Sequence, residues 1–445
     1  MGRAANDGGI HLAGITFTSY IPLILVLVLF FLKVPVAISL IASSLVYFTF
    51  INTSMAPDLA LQNMISGLNS FPVLAVPFFI TAGVVMNYSG ISTRLLKFAD
   101  LVVGHLPGSL GHVNVLLSTL MGGISGSSNA DAAMQCKILV PEMVKRGYSK
   151  EFSAAVTASS SLIPSIIPPG MVLLFYATVA KQSVGKLFMA GYIPGLMLCV
   201  AMMIVVAIEA KKSGYGKTRE TRATFPEVVK GLCAAILALF MPLGLLMGLR
   251  FGMFTATEGG AMCVIYCIIV GAVFYKELKL CHIAPIMKES LISTAEVMFI
   301  LIGANLFGYY LSWERIPYTL SQFLITTLQN KYVFLIVINI FLLIAGMFVE
   351  AAPMIIILVP LLLEPIKLLG IDPIHFGLIV VLNLQIGGLT PPFGSMMYIV
   401  CSVLKIPITK FVKANIPFYI AILIVLMICT FLPDVVMFIP NLLYG

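Results

Sequence analysis

The sequence predicts an all-α polytopic membrane protein: two inverted-topology repeats of five crossings each, with two re-entrant helical hairpins and two proline-broken helices. Three observations carry that expectation. Of 445 residues, 60% are hydrophobic and 10% charged, too little polar surface to keep a soluble globule of this size in water. Apolar runs long enough to span a bilayer recur from Tyr20 to Phe431, and a backbone in hydrocarbon must close its own hydrogen bonds within a helix. A β-barrel is discarded, because Ile21 to Phe31 and Ile336 to Ala345 lack the alternation of a lipid-facing strand. Finally, the second half repeats the first. Ile-Ile-Pro-Pro-Gly at 166 to 170 is answered by Gly-Leu-Thr-Pro-Pro-Phe-Gly at 388 to 394, and Pro194 by Pro417, at an offset of 223. Upstream, Asp131 ten residues before Pro141 is set against Glu350 ten before Pro360, with Gly147 against Gly370 and Gly83 against Gly303. The offset then drifts between 219 and 223.

Taken in order, the polar start (Met1 to Gly9) has no separate apolar stretch with a small-residue cleavage site, so the first helix is expected to direct insertion itself. The first repeat covers 1–208: crossing helices, a hairpin over 113–147, a broken helix over 150–185 and a last crossing. Residues 209–230 form a polar cytoplasmic connection, and 231–445 form the second repeat, with a hairpin over 332–370 and a broken helix over 373–406. Each hairpin segment is too long for one crossing and carries a small or polar break, at Gly122 to Asp131 and at Gly346 to Glu350. Five crossings per half give the halves opposite orientations. With the N-terminus outside, 19 of the 26 Lys and Arg fall on the cytoplasmic side. Only Arg3, Lys181, Lys186, Arg250, Arg315, Lys331 and Lys367 fall outside, as cytoplasmic enrichment of positive charge requires. The net charge of +8 therefore reports topology in a lipid bilayer, and no nucleic-acid partner is expected. Eight cysteines lack any CxxC spacing and read as small packing residues. Five histidines lie near segment ends, where interfacial placement is the ordinary reading.

The chemistry concentrates at the breaks. Proline has no N–H, so Pro168 and Pro169 deprive the carbonyls of residues 164 and 165 of their helical donors, and Pro391 and Pro392 do the same for Gly387 and Gly388. Unwound carbonyls at mid-membrane suit sodium or another hard cation, and a matched pair of breaks favours that reading over a packing kink. Met121-Gly-Gly-Ile-Ser-Gly-Ser-Ser-Asn-Ala-Asp131 supplies hydroxyls, an amide and a carboxylate where a membrane segment should be most apolar. As a hairpin tip, it lets Ser128 or Asn129 cap the following helix, whose N–H groups attract an anion, while Ser125 offers an oxygen to a cation. Small-residue helix packing accounts for the glycines but not for Asp131. Ser127, Ser128, Asn129, Asp131 and Glu350 are the candidates to face a bound solute, Glu350 with an equal claim to a purely structural role. Glu296, inside an apolar helix, reads as a partner for a neighbouring helix. An intramembrane hydrolase using Ser127 or Ser128 is disfavoured, because no His or Lys stands in that motif to activate the hydroxyl.

These stretches resemble the large membrane subunit of tripartite ATP-independent periplasmic (TRAP) transporters. The likeness rests on Ser-Gly-Ser-Ser-Asn-Ala-Asp (125 to 131), Val-Pro-Glu-Met-Val-Lys-Arg-Gly-Tyr (140 to 148), Ile-Ile-Pro-Pro (166 to 169) and Leu-Phe-Met-Ala-Gly-Tyr-Ile-Pro-Gly (187 to 195). Gly-Met-Phe-Thr-Ala-Thr-Glu (252 to 258), Ile-Asp-Pro-Ile-His-Phe-Gly (371 to 377) and Thr-Pro-Pro-Phe-Gly (390 to 394) continue it through the second half. The resemblance implies an elevator-type carrier of the ion transporter superfamily, in a bacterial inner membrane with both termini periplasmic. It implies sodium symport of a small organic acid such as a dicarboxylate or sialic acid, and no enzyme activity or other cofactor. The implied partners are a small four-helix membrane subunit and a periplasmic substrate-binding protein. One sodium site would use Ser125 with the backbone of Gly122, Pro164, Ile167 and Pro169. The other would use Thr390 with the backbone of Gly346, Gly387 and Phe393. Ser128, Asn129, Pro164, Gly170 and Glu350 depart from the residues usual in the family and bear on which acid is recognised. A stand-alone sodium-coupled carboxylate symporter of the same fold is the alternative.

Overall fold

Hydrocarbon-compatible sequence folds into helices almost throughout, and no β-strand occurs among the described residues. The computed structural model describes residues 17–32, 34–52, 62–65, 68, 73–328 and 330–444, without the side chains of 17, 30, 31, 123–125 and 325. The first repeat contains α1 (Phe17–Phe31), α2 (Val36–Val46) running into a π-helical turn (Tyr47–Ile51), α3 (Ala75–Tyr88) and α4 (Ile91–Val103). The helix pair α5 (Ser109–Ser125) and α6 (Ser128–Lys145) follows, then α7 (Lys150–Ser160), a 3-10 turn (Ile163–Ser165), α8 (Met171–Ala180) and α9 (Val184–Ser213). The second contains α10 (Phe225–Arg250), α11 (Ala256–Ile269) with its own π turn (Val270–Phe274), α12 (Ile283–Trp313), α13 (Ile316–Thr327), α14 (Lys331–Phe348) and α15 (Ala351–Leu368). The broken helix α16 (Pro373–Leu389) and α17 (Ser395–Leu404), then α18 (Ile408–Phe431) and α19 (Pro433–Tyr444), complete it.

The repeat is visible in the packing as well as in the order. The two π turns stand at the same place in each half, and so do the left-handed residues Gly147 and Gly370 that end α6 and α15. The Pro168-Pro169 and Pro391-Pro392 bonds are both cis. Contacts swap reciprocally: α2 packs on α12 while α11 packs on α3, α7 on α18 while α16 packs on α9, and α6 on α17 while α15 packs on α8. The common offset is 223 through the hairpins, so Ser127 corresponds to Glu350, each the residue before a second arm. This corrects the pairing of Asp131 with Glu350, which rested on Pro141 and Pro360. Those prolines lie inside α6 and α15 at different positions, where neighbouring helices tolerate a missing backbone donor.

Side-chain caps set the helix starts. Ser127 Oγ accepts from Ala130 N (3.4 Å), Ser149 Oγ from Phe152 N (3.2 Å) and Asp372 Oδ1 from Ile374 N (2.7 Å). Ser127 is thus the cap of α6, in place of the expected Ser128 or Asn129. Helices enter the connecting segment from both sides, leaving residues 214–224 between α9 and α10. Among the described residues seven helices are long and apolar enough to cross a bilayer alone, and α3 with α4, bent by 69°, makes an eighth candidate. The proline breaks keep α8, α16 and α17 below that length. One large apolar cluster draws on both halves, including Phe188, Phe376, Phe411 and Phe418. Outward faces of α10 and α18 expose Phe240, Leu243, Ile420 and Ile424, as a lipid-facing surface does. His112 and His375 are each 3% exposed, His375 with Nε2 2.7 Å from the Cys429 carbonyl, so these two are core residues rather than interfacial ones. All eight cysteines are free and six are buried.

Candidate functional site

Four helix starts meet at one cavity of about 360 Å³. Its wall includes Gly126 to Ala130 at the start of α6, Glu350 to Pro353 at the start of α15, Met171 and Val172 opening α8, and Ser395 opening α17. Each start carries backbone N–H groups without helical partners and the positive end of a helix dipole. No Lys or Arg lines the cavity among the described residues. The four dipole ends are therefore its source of positive potential. The tips touch across it, where Asn129 Nδ2 donates to Glu350 Oε1 at 3.3 Å.

Ser127, Ser128, Asn129 and Glu350 line the cavity wall. Asp131 does not. It is 1% exposed, and its Oδ2 accepts from Ser118 Oγ (2.7 Å), Gln135 Nε2 (2.8 Å) and Ser161 Oγ (3.0 Å). One helical turn beyond Ser128 carries it beneath the tip and into the contact with α5 and the end of α7. Glu296, read from sequence as a helix-packing partner, lines the cavity instead, with Ser293 and Glu289 on the same helix. Their spacing of three and four residues puts them on one face of α12, a signal already present in the sequence. Asn87 of α3 and Gln385 of α16 complete the polar lining that sequence reasoning missed.

Around the first break, Gly122 meets the unwound segment so closely that a Cβ there would stand 2.8 Å from Ile167 Cβ and 3.4 Å from the Pro164 Cα. Gly126, at φ +58°, faces the Pro169 carbonyl, and its own carbonyl accepts from Met171 N at 3.1 Å. Ile167 N donates to Ile163 (2.9 Å) and Pro168 has no N–H, so the Pro164 carbonyl loses its helical donor, as expected. The side chain of Ser125 lies outside the described residues. At the second break, Gly346 and Gly387 bring α14 and α16 into backbone contact. A Cβ on Gly346 would stand 2.9 Å from the Leu384 carbonyl oxygen. The Gly387 carbonyl, expected free, instead accepts from Thr390 N (3.0 Å) and Thr390 Oγ1 (2.9 Å). Gly388 also has no helical donor, because residue 392 is proline. The Phe393 ring rests 5.8 Å from that of Phe348 at the end of α14. The glycines Gly122 and Gly346 thus each lie between a hairpin arm and the break of their own repeat's broken helix. Carbonyl and hydroxyl oxygens of this kind fit a hard monovalent cation.

Comparison with known proteins bears on what such a site serves. The family described as "Tripartite ATP-independent periplasmic transporter, DctM component" matches residues 23–435. The sialic acid TRAP transporter large permease protein SiaM of Vibrio cholerae is 37% identical over 417 residues, covering 94% of this chain and 97% of that protein. The C4-dicarboxylate TRAP transporter large permease protein DctM of Rhodobacter capsulatus is 32% identical over 438 residues, covering 94% and 98%. Among solved structures, the Alcanivorax borkumensis YdaH transporter superposes with a TM-score of 0.63 at 13% identity, covering 92% of this chain and 97% of that one. That likeness concerns the fold alone.

Proposed function

This chain belongs to the DctM component family, the large permease subunits of tripartite ATP-independent periplasmic transporters, and from that membership we propose that it imports a small organic carboxylate by sodium symport. A periplasmic binding protein delivers the acid, and a small four-helix subunit completes the membrane complex in the bacterial inner membrane, with both termini of this chain periplasmic. Relatives named for sialic acid, C4-dicarboxylate and 2,3-diketo-L-gulonate transport support an organic acid as the substrate class.

The observation that carries the reading is the convergence of four helix N-termini on a cavity lined by no Lys or Arg among the described residues. Each N-terminus favours an anion by about 0.3 to 1 kcal/mol at an exposed site and up to about 2 in partly buried geometry. Together they bind a carboxylate without a fixed counter-charge that would hold it too tightly to release. Sodium at the Gly122 and Gly346 clusters adds positive charge beside those N-termini, so ion and acid stabilise one another and must move together. The helix pairs α5 with α6 and α14 with α15 carry the cargo together with the broken helices, as an elevator past α12. Glu289 and Glu296 on α12 repel a departing carboxylate from that wall.

The test is uptake into proteoliposomes holding this chain and its small subunit, under an inward sodium gradient, with and without the binding protein. Uptake that needs both the gradient and the binding protein is the expected result. Full-rate uptake without the binding protein points to the stand-alone symporter, and uptake indifferent to sodium removes the coupling.

A further inference from the structure

Asp131 is a buried carboxylate that no Lys, Arg or His pairs with among the described residues. Every ion pair among the described residues lies elsewhere, and its neighbours are serines, Gln135 and Cys136. An unpaired charge in such surroundings costs several kcal/mol unless something compensates it. Its own Oδ1 is buried without a hydrogen-bond partner, and so are Ser128 Oγ and Gln135 Oε1 on the same helix. Residues 128, 131 and 135 are spaced three and four apart, so they share one face of α6. Ser128 also lines the cavity, which gives that face a route to water.

The hydrogen bonds on the other carboxylate oxygen can rearrange. Ser118 Oγ can donate to Asp131 Oδ2 (2.7 Å) or to Ser160 Oγ (3.0 Å), and Ser161 Oγ to Asp131 Oδ2 (3.0 Å) or to the Thr157 carbonyl (2.7 Å). A hydroxyl has one proton to give. The serines therefore have partners whether or not the carboxylate's charge is neutralised, and the site can fill and empty without leaving a donor stranded. A proton on Oδ1 would let it donate to one of the other two oxygens and leave the third unmet. A hard cation takes several oxygens at once.

We propose that Ser128, Asp131 and Gln135 bind a sodium ion of their own, a third cation site on α6 reached from the cavity past Ser128. It is separate from the Gly122 cluster, whose partners are Pro164 and Ile167, and has no counterpart in the other repeat, where Met354 stands at the place of Asp131. The proposal rests on sodium being the ion this chain uses, so direct ion binding is the measurement that separates the two questions.

Radioactive sodium binding to the full chain in lipid nanodiscs, at fixed pH, gives the count. The expected result is three ions per wild-type chain, two for Asp131→Asn, and three again for Asp131→Asn with Gln135→Glu, which moves the carboxylate one turn along the same face. Gln135→Glu alone should bind the third ion about tenfold tighter or more. Two ions on the wild type and two on Asp131→Asn would overturn the third site and leave the coupling sites standing. No bound sodium on any chain would overturn both. A wild-type chain whose Asp131 takes up a proton instead, with the sodium count unaffected by Asp131→Asn, would also overturn it. Should Asp131→Asn not fold, an unchanged sodium affinity in Gln135→Glu decides against the site.

Discussion

Replacing Gly387 by Ala tests a close backbone-to-backbone approach between two helices. A Cβ at that position would stand 2.5 Å from the Cα and carbonyl carbon of Gly346, whereas ordinary carbon contacts begin near 3.4 Å. Neither partner is a flexible side chain, so α14 and α16 must part by about 0.9 Å. Forced expansion of a packed interior costs about 1 to 3 kcal/mol, and backbone against backbone belongs at the upper end, near 3 kcal/mol. Gly346 and Gly387 also frame the second proposed ion site, and a shift of that size is a large fraction of a cation-to-oxygen distance of about 2.4 Å. Gly387→Ala should therefore lower the melting temperature of the purified chain by several degrees and raise the sodium concentration for half-maximal uptake about tenfold or more. Nanoscale fluorimetry in detergent and sodium titration in proteoliposomes read the two effects. Wild-type melting would refute the steric argument. A destabilised chain with unchanged sodium dependence would keep the sterics and remove the ion site.

Gly308 supplies the opposite case: it is helical and a Cβ there meets nothing within 4 Å, so Gly308→Ala should stabilise by about 0.5 to 1 kcal/mol, read as a higher melting temperature. Lys181 and Lys405 end α8 and α17 at φ +52° and +51°, so Lys181→Gly and Lys405→Gly should each gain about 1 kcal/mol, and a loss would show that the lysine heads make needed contacts. Thr390→Ala and Ser125→Ala should each weaken uptake and be partly rescued by high sodium, with unchanged sodium dependence in both refuting those ligands. Glu350→Gln should change stability by less than about 1 kcal/mol, because its contact with Asn129 is exposed, while altering which acids inhibit uptake.

Much of this arrangement is legible in the sequence, because it is written in residues with few physical alternatives. Paired prolines cannot continue a helix, and Gly126 and Val349 fall inside the breaks that small and polar residues announced. What was misread follows from interactions with no sequence period. Thr390 closes back on Gly387 through both its N–H and its hydroxyl, so counting prolines alone overestimates the free carbonyls. The hairpin register slipped because Pro141 and Pro360 look like anchors but sit in helix interiors at unrelated positions. A carboxylate in a membrane segment suggests a ligand, yet Asp131 lies outside the cavity. Its partners Ser118 and Ser161 come from elsewhere in the chain and take it inward. The meaning of Glu296 depends on Glu289 and Ser293 sharing its face, and on that face meeting a hairpin tip from each half.

The reciprocal packing of α6 on α17 and of α15 on α8 means that neither half owns its own interior. Each lends an arm to the other, like clasped hands, and the shared cluster around Phe188 and Phe376 cannot be divided at residues 214–224 without opening both sides. A gene encoding one repeat alone would have needed a second copy of its product to cover the same surfaces. Chains cut in that segment should therefore recover activity when the two fragments are made together, and neither fragment should persist without its mate.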